Sequence, residues 1–363
     1  MSTLALPLAD LNRMEKRMRA LAEPRPAIYR MVDRSGRVVY VGKARRLRQR
    51  LLSYFRARPP EKAARILEAA ADIQWDYAPS EFAACLGELR QIRKFRPWFN
   101  VHMNRTHRVA FVRMSVGPAP RLSVGPVVDA PEVRHYGPFR SVGRLRDSVR
   151  VLNDQLGLRD CAERMPIVYA EQGDLFSEAR HAACMRHAFG TCAGPCAGLV
   201  TETDYHGRAE AAVAFLEGRA AAPLDRVVAG MQQASDRDAF EQATRWRDRF
   251  DALEWLFGAA NRIRTTIAAM TFVYVDPGSH GDDHAYIIVQ AAVKASAPAP
   301  RTPIEHAAFL ALVHEHATIA PNAGPLPTDG IDEMLLLLSW FRRHPAAMRK
   351  SLALDAWIAR HGH

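Results

Sequence analysis

Three groups of residues in this chain have the types and the spacing to do chemistry. Tyr29 and Tyr40 lie on two short apolar runs, and Arg46 and Arg50 follow one helical turn apart. Phenols beside cations can move protons, and guanidinium groups can grip a phosphate. Glu88 comes three residues after Cys85 and four before Ile92, so on a helix it borders the buried face. Its charge there is costly unless a cationic partner or a metal ion compensates it. The third group is four cysteines, Cys161, Cys184, Cys192 and Cys196, spaced C-x22-C-x7-C-x3-C. In a reducing compartment clustered thiols favour metal over disulfides, and four soft thiolates suit zinc or an iron–sulfur cluster equally. A fifth cysteine, Cys85, lies on an apolar helical stripe and reads as a small core residue.

The elements that must position these groups are legible from local pattern. Runs ending near Tyr29 and covering Arg37 to Tyr40 flank the turn Asp33-Arg34-Ser35-Gly36, which predicts a hairpin with the two tyrosines side by side. Val41-Gly42-Lys43 is expected to open a basic helix from Ala44 to Leu52, and a second helix is expected from Glu61 to Ala71. A short strand covers Ile73 to Tyr77, and Ser80 is the expected cap of a helix from Glu81 to about Phe95. Its apolar stripe is Phe82, Leu86, Leu89 and Phe95, joined by Cys85 and Ile92. The positions three and four beyond Glu88 are Gln91 and Ile92, so its partner is either a base from another element or a metal. Trp98-Phe99-Asn100 is expected to lead into an edge strand, and an amphipathic helix over residues 11–22 precedes the set.

Ala27-Ile28-Tyr29, Tyr40-Val41-Gly42-Lys43, Arg50, Glu88 and Asn100 together resemble the motif set of GIY-YIG nucleases. The version they resemble is that at the N-terminus of the UvrC excinucleases of bacterial nucleotide excision repair. Order, spacing and element type agree over residues 22–104. The resemblance implies an α/β (α+β) nuclease domain with a small mixed sheet flanked by helices. Two positions depart from the motif: Ala27 stands for its leading glycine and Val41 for its isoleucine. Alanine is tolerated there if the backbone has negative φ.

The same resemblance implies a Mg²⁺- or Mn²⁺-dependent endodeoxyribonuclease whose site residues are Tyr29, Tyr40, Lys43, Arg50, Glu88 and Asn100. Phosphodiester hydrolysis needs a deprotonated nucleophile, neutralisation of charge on the phosphoryl oxygens and help for the leaving oxygen. Glu88 would hold the cation, which prefers carboxylate, waters and a substrate phosphate. Tyr29 or Tyr40 would take the proton of the attacking water. A free phenol titrates near pH 10, so its pKa must fall by about 2 units to ionise near pH 8. Lys43 and Arg50 are the cations expected to lower it. Arg50 can instead grip the scissile phosphate, and Asn100 would orient ligands or substrate.

Charge points the same way. The net charge is +11, and residues 22–110 hold 19 basic against 8 acidic residues while the remainder carries 31 of each. So localised an excess is the footprint of a polyanion site, with a merely solvated basic face as the alternative. Arg45, Arg46, Arg48 and Arg56 are the expected phosphate contacts. No apolar run approaches the roughly 20 residues of a membrane span. The N-terminus shows no secretory pattern, so a cytoplasmic protein is expected.

Beyond residue 105 the resemblance continues in pieces. Alternating residues over 105–127 suggest strands or a linker, Tyr136-Gly137-Pro138 resembles the stretch after the nuclease domain of the same family, and a helix is predicted over 142–156. The run from Cys184 to Cys196 resembles the family's cysteine region, which implies a [4Fe–4S] cluster, with Zn²⁺ as the alternative. Basic residues Arg159, Arg164, Arg186, His181 and His187 surround it in sequence, where DNA contact is an option. Helices are expected over 201–218 and 223–257, and the second resembles a UVR motif, a helical hairpin for pairing with a UvrB-like protein. Its packing surface would be Ala234, Phe240, Ala243 and Leu253, with Glu241, Arg247 and Asp248 for ion pairs; a generic helix pair is the alternative.

Residues 263–363 predict a hairpin, helices near 303–318 and 330–361, and no clear role; the pair His314 and His316 reads as surface rather than metal site. The expected segments are thus 1–21, 22–104, 105–157, 158–200, 201–262 and 263–363. No carboxylate pattern replaces the RNase H-like domain of full-length relatives, which makes the chain similar to the shorter Cho-type proteins. The expected function is a Mg²⁺-dependent endonuclease that nicks the damaged strand of a duplex 3′ to a lesion. The alternatives are a non-catalytic DNA-binding repair accessory and a stand-alone structure-selective nuclease.

Overall fold

The computed structural model describes residues 8–101, 109–128, 130, 132–172, 184–317, 326 and 330–362. Helix α1 (Leu8–Leu21) leads into strands β1 (Ala27–Val32) and β2 (Val38–Ala44), helices α2 (Leu47–Phe55) and α3 (Lys62–Ala69), strand β3 (Asp72–Tyr77), and helices α4 (Glu81–Phe95) and α5 (Trp98–Val101). Strands β4 (Ala110–Ser115), β5 (Leu122–Gly125) and β6 (Val133–Phe139) follow, then helices α6 (Val142–Leu156), α7 (Met185–Ala188), α8 (Glu202–Leu216), α9 (Ala222–Ser235) and α10 (Phe240–Ala269). The chain closes with β7 (Phe272–Asp276), β8 (His284–Val289), β9 (Ala292–Pro298), α11 (Pro303–Ala317), α12 (Ile331–Arg343), α13 (Pro345–Lys350) and α14 (Leu354–His361). These elements form two compact units, one of residues 1–106, 270–320 and 332–363, the other of residues 107–269 and 321–331.

In the first unit β1 is the middle strand of a sheet ordered β2-β1-β3, and both pairings are antiparallel. The sheet is therefore antiparallel and not mixed as expected. Alternation along β1 sends Ala27, Tyr29 and Met31 into a core with Leu47, Leu51 and Tyr54 of α2, Ile66 of α3 and Met18 of α1. Ile28 and Val41 point the other way, onto Ala84 of α4. Buried side chains such as Leu47 and Leu51 stabilise this layer by about 1.5–3 kcal/mol each.

Several expectations shift in position. Strand β2 does not stop at Tyr40 but runs on to Ala44, which lies opposite Ala27 on β1, so Gly42 and Lys43 are strand residues and α2 begins only at Leu47. The backbone bonds of the hairpin outweigh the helical propensity of the basic run. Phe95 is 39% exposed. Thirteen steps of a 3.6-residue period carry it to the far side of α4 from Phe82. Asn100 sits in a short helical turn after Pro97, and the residues just beyond that turn, where an edge strand was expected to follow, lie outside the described residues.

The second unit packs the sheet β5-β4-β6 against α6, α8 and α10, with Leu145, Leu152, Phe215, Leu253 and Leu256 in its core. Strands β4, β5 and β6 are thus an integral sheet and not a loose connector. The stretch 223–257, expected to hold a helical hairpin, lies in two helices, α9 and α10, turning at Asp236 to Ala239, where Asp238 adopts positive φ. Back in the first unit, β7, β8 and β9 form an antiparallel sheet, with β9 a strand that alanine-rich local sequence did not announce. The helix expected over 330–361 is three helices, broken before Pro345 and again where Leu352 bridges Val273.

Candidate active site

The middle of the first sheet gathers three phenols around one guanidinium. Tyr29 on β1, Tyr40 on β2 and Tyr54 on α2 form a triangle with ring centroids 6.0–6.4 Å apart. The hydroxyls of Tyr29 and Tyr54 share a hydrogen bond of 2.8 Å. Arg50 donates from Nε to Tyr29 (3.1 Å) and from Nη2 to Tyr54 (3.3 Å), with its guanidinium 5.0 Å from the Tyr54 ring centre. Tyr54 was not singled out from sequence. Its signal is the spacing Leu47, Leu51, Tyr54, a buried stripe on α2 that also places it one turn after Arg50.

Gly42 explains the second half of the motif by space. It pairs with Tyr29 across the strands, and a Cβ there would lie 2.5 Å from the Tyr29 hydroxyl and 2.9 Å from Tyr40 Cε1. Only hydrogen lets both phenols converge. Ala27 meets the condition set for it, since it is not among the residues with positive φ, and its methyl group is buried in the core.

The charged half of the site lies on the α4 side. Glu88 has a side chain 22% exposed and faces Lys43 Nζ at 3.5 Å, the partner from another element that its position required. Lys43 also donates to Cys85 Sγ at 3.0 Å, one turn earlier on α4. Burial raises the Glu88 carboxyl above its usual range, and Lys43 and then Arg50 pull it back. Burial also raises the Cys85 thiol, against the opposing pull of Lys43, and keeps it protonated, so the sulfur is a neutral acceptor and Glu88 is the ionic partner of Lys43.

Two expected roles change. The Tyr29 phenol is pushed up, not down, because its burial and the neighbouring Tyr40 outweigh Arg50. Lys43 is committed to Cys85 and Glu88, so Arg50 is the guanidinium that touches the phenols. Asn100 is buried, and its amide is spent on the edge strand: Oδ1 accepts from the Val41 amide (2.8 Å) and Nδ2 donates to the Val41 carbonyl (2.9 Å). It fixes β2 between Tyr40 and Gly42. Among the expected phosphate contacts Arg45, Arg46 and Arg56 are exposed, whereas Arg48 turns inward to the Ala22 carbonyl.

Glu88 fits a magnesium ion in its chemistry: a carboxylate reaching solvent, with Lys43 its one ion-pair partner among the described residues, where Mg²⁺ would keep most of its waters. Among the described residues no three His, Cys, Asp or Glu side chains are grouped to hold a metal. That holds for His314 and His316 on α11 and for the four cysteines. All four cysteines are unpaired thiols, with Cys192 buried and Cys184 exposed. Burial raises Cys192 and Cys196, and neighbouring thiols raise them further, Cys184 and Cys196 on the first, Cys161 and Cys184 on the second. Their type and proximity suit a soft metal, but a closed ligand shell is not formed. Around them Arg186 pairs with Asp154 (2.7 Å) and Asp160 (3.3 Å), and Arg159 donates to the Ala119 carbonyl and Cys161 Sγ. His181 lies outside the described residues.

On the expected pairing hairpin, Phe240 is 73% exposed and Glu241, Arg247 and Asp248 are all at the surface, while Ala234 and Leu253 are buried. No helix among the described residues is long and apolar enough to cross a membrane.

Comparison with known proteins matches residues 25–101 to the UvrC-like GIY-YIG domain and residues 109–215 to the UvrC/Cho excinuclease middle domain. UvrABC system protein C of Desulfatibacillum aliphaticivorans is 31% identical over 247 residues, covering 67% of this chain and 39% of that protein. The protein of the same name from Pseudomonas fluorescens (strain SBW25) is 32% identical over 230 residues, covering 63% of this chain and 36% of that one. The chain thus spans little more than a third of the length of these relatives. Among solved structures, the GIY-YIG N-terminal endonuclease domain of UvrC from Thermotoga maritima bound to magnesium is 34% identical over 24% of this chain and 97% of that chain, with a TM-score of 0.23. The matched GIY-YIG domain holds the phenol cluster, Lys43, Glu88 and Asn100, the matched middle domain follows it directly, and the chain thus carries a UvrC-like GIY-YIG domain followed by a UvrC/Cho excinuclease middle domain.

Proposed function

We propose that this chain is a Mg²⁺-dependent DNA endonuclease of nucleotide excision repair, nicking the damaged strand 3′ to a lesion. The observation that carries the reading is the convergence of Tyr29, Tyr40, Tyr54 and Arg50 on one sheet face, with Glu88 facing Lys43 of the same hairpin. A scaffold has no use for such a set. When bound at Glu88, Mg²⁺ or Mn²⁺ would neutralise charge on the phosphoryl oxygens. Lys43, which faces Glu88 at 3.5 Å, also donates to Cys85 Sγ and so has a second partner beside the carboxylate that would hold the ion. Tyr29 is buried with its hydroxyl engaged twice, so Tyr40, half-buried on the edge strand, is the phenol that water reaches, and it takes the nucleophile's proton. Among the described residues Arg50 has no partner at Nη1, which would take a phosphate oxygen while Nε and Nη2 fix its plane.

The substrate is damaged double-stranded DNA, held by Arg45, Arg46 and Arg56 through phosphates, and the partner is a UvrB-like damage-recognition protein docking on the α9–α10 pair through Phe240, Glu241, Arg247 and Asp248. The four thiols take a soft metal centre, [4Fe–4S] first and Zn²⁺ second; a brown protein absorbing broadly near about 400 nm supports the first and a colourless one the second. The deciding experiment is nicking of a lesion-bearing duplex with and without damage-recognition proteins. Lesion-positioned nicks that vanish in Glu88→Ala and without divalent cation are expected. Nicks indifferent to those proteins point to a stand-alone nuclease, and no nicking under any condition sinks the enzyme reading.

A further inference from the structure

We propose that residues 270–317 and 332–362 are a brace for helix α4, and through it for Glu88, with Ser80, Phe82 and Asp276 as the positioning residues. The proposal rests on the nuclease reading of Glu88 given above. The two matched family domains end at residue 215, so these segments lie outside both.

Helix α4 carries Glu88 two turns from its start, and its first turn is anchored by distant residues. Ser80 caps the helix, its hydroxyl accepting from the Ala83 amide at 3.0 Å. The same hydroxyl donates to the carboxylate of Asp276 on β7. Tyr274 donates to the other oxygen of that carboxylate at 2.8 Å. Asp276 is buried, and among the described residues it has no ion pair. Two hydroxyl donors and the positive end of α4 are what support its charge. With its proton committed to Asp276, the Ser80 hydroxyl can present only a lone pair to Ala83. The cap is thereby locked by a residue 196 positions away.

Phe82 adds a packing anchor. Its ring is fully buried and meets Tyr274, Tyr286, Trp340 and Phe341 at centroid distances of 4.9–6.1 Å, all four from the brace. The Ser279 amide donates to the Pro79 carbonyl at 2.8 Å, just before the cap. At the other end of α4, Arg93 faces Glu333 of α12 at 3.9 Å. Between these ties α4 lies close on β1, where a Cβ on Gly87 would come within 2.6 Å of Ile28 Cδ1. Helix α4 is therefore held at both ends and pressed flat in the middle, which sets the Glu88 carboxylate against Lys43.

The test uses the full chain with Phe82→Leu and Asp276→Ala, each compared with the unaltered protein and with Glu88→Gln. Mn²⁺ binding is followed by paramagnetic resonance, and nicking of plasmid DNA is followed as Mg²⁺ is raised. Loosening α4 is expected to raise the half-saturating metal concentration about tenfold or more in both variants, with activity recovering at high Mg²⁺. A merely structural contact would lower the folded fraction and leave that concentration unchanged. Folded variants with unaltered metal dependence overturn the brace. If Asp276→Ala does not fold, Phe82→Leu, which keeps an apolar side chain, carries the test. An unaltered protein that neither nicks nor loses Mn²⁺ binding on Glu88→Gln overturns the nuclease reading and the brace with it. One that nicks normally while both variants match it overturns the brace alone.

Discussion

At the scale of the residue, what organises the site is how few atoms are left uncommitted. Tyr29 spends its hydroxyl on Tyr54 and Arg50, Asn100 spends its amide on Val41, and Lys43 divides itself between Cys85 and Glu88. Tyr54 should therefore matter although it lies beneath the other phenols. Tyr54→Phe removes a partner from both Tyr29 and Arg50 and is expected to slow nicking about ten- to a hundredfold, at a stability cost of about 1 kcal/mol. Steady-state nicking and urea denaturation check the two parts separately. Gly42→Ala should be worse, since its methyl group would collide with the Tyr29 hydroxyl at 2.5 Å. Overpacking of this kind costs about 1–3 kcal/mol, and an active, equally stable Gly42→Ala protein would refute the steric account of the motif glycine.

At the scale of the element, α4 shows how ends decide a helix. Its N-terminus follows the rule read from Ser80, and its C-terminus is closed by Arg96 in the left-handed region, at φ 42. Glycine is at ease there and arginine is not, so Arg96→Gly is expected to stabilise the protein by about 0.5 kcal/mol, visible as a higher denaturation midpoint. Asp276 makes the other end sensitive to pH. Burial raises its carboxyl above the ordinary range, although Ser80 and Tyr274 oppose the shift. With the folded value above the unfolded one, the folded chain holds the extra proton between them, so this group makes stability fall as pH rises through that interval. Asp276→Asn removes this contribution, and denaturation midpoints from about pH 4 to about pH 7 should show the difference in slope between the two proteins. Identical slopes would contradict it.

At the scale of the whole molecule, the basic excess of residues 22–110 falls on the stretch of chain that also carries Tyr29, Arg50 and Glu88. If Arg45, Arg46, Arg50 and Arg56 each meet a phosphate, the logarithm of DNA affinity should fall with the logarithm of salt with a slope of about −3 to −4. A slope near zero, measured by fluorescence anisotropy, would remove DNA from the account. Much of the organisation was legible in sequence for a local reason. Caps, turns and 3.6-residue stripes act over a few residues, so the hairpin, the limits of α4 and α6, and the need of Glu88 for a partner could be read from residue order. What local pattern missed depends on pairing and closure. The length of β2, the antiparallel sheet and the extra strand β9 follow from which backbone groups find partners across the fold. The sequence by itself determined which side chains are available for chemistry and on which helices and strands they ride. Only the tertiary structure decided that Tyr54 joins the phenols, that Cys85 holds Lys43, that Asn100 serves the backbone, and that Asp276 locks the cap of α4. Those contacts join residues 25 to 196 positions apart, and hydrogen-bond distance over such separations is set by packing alone.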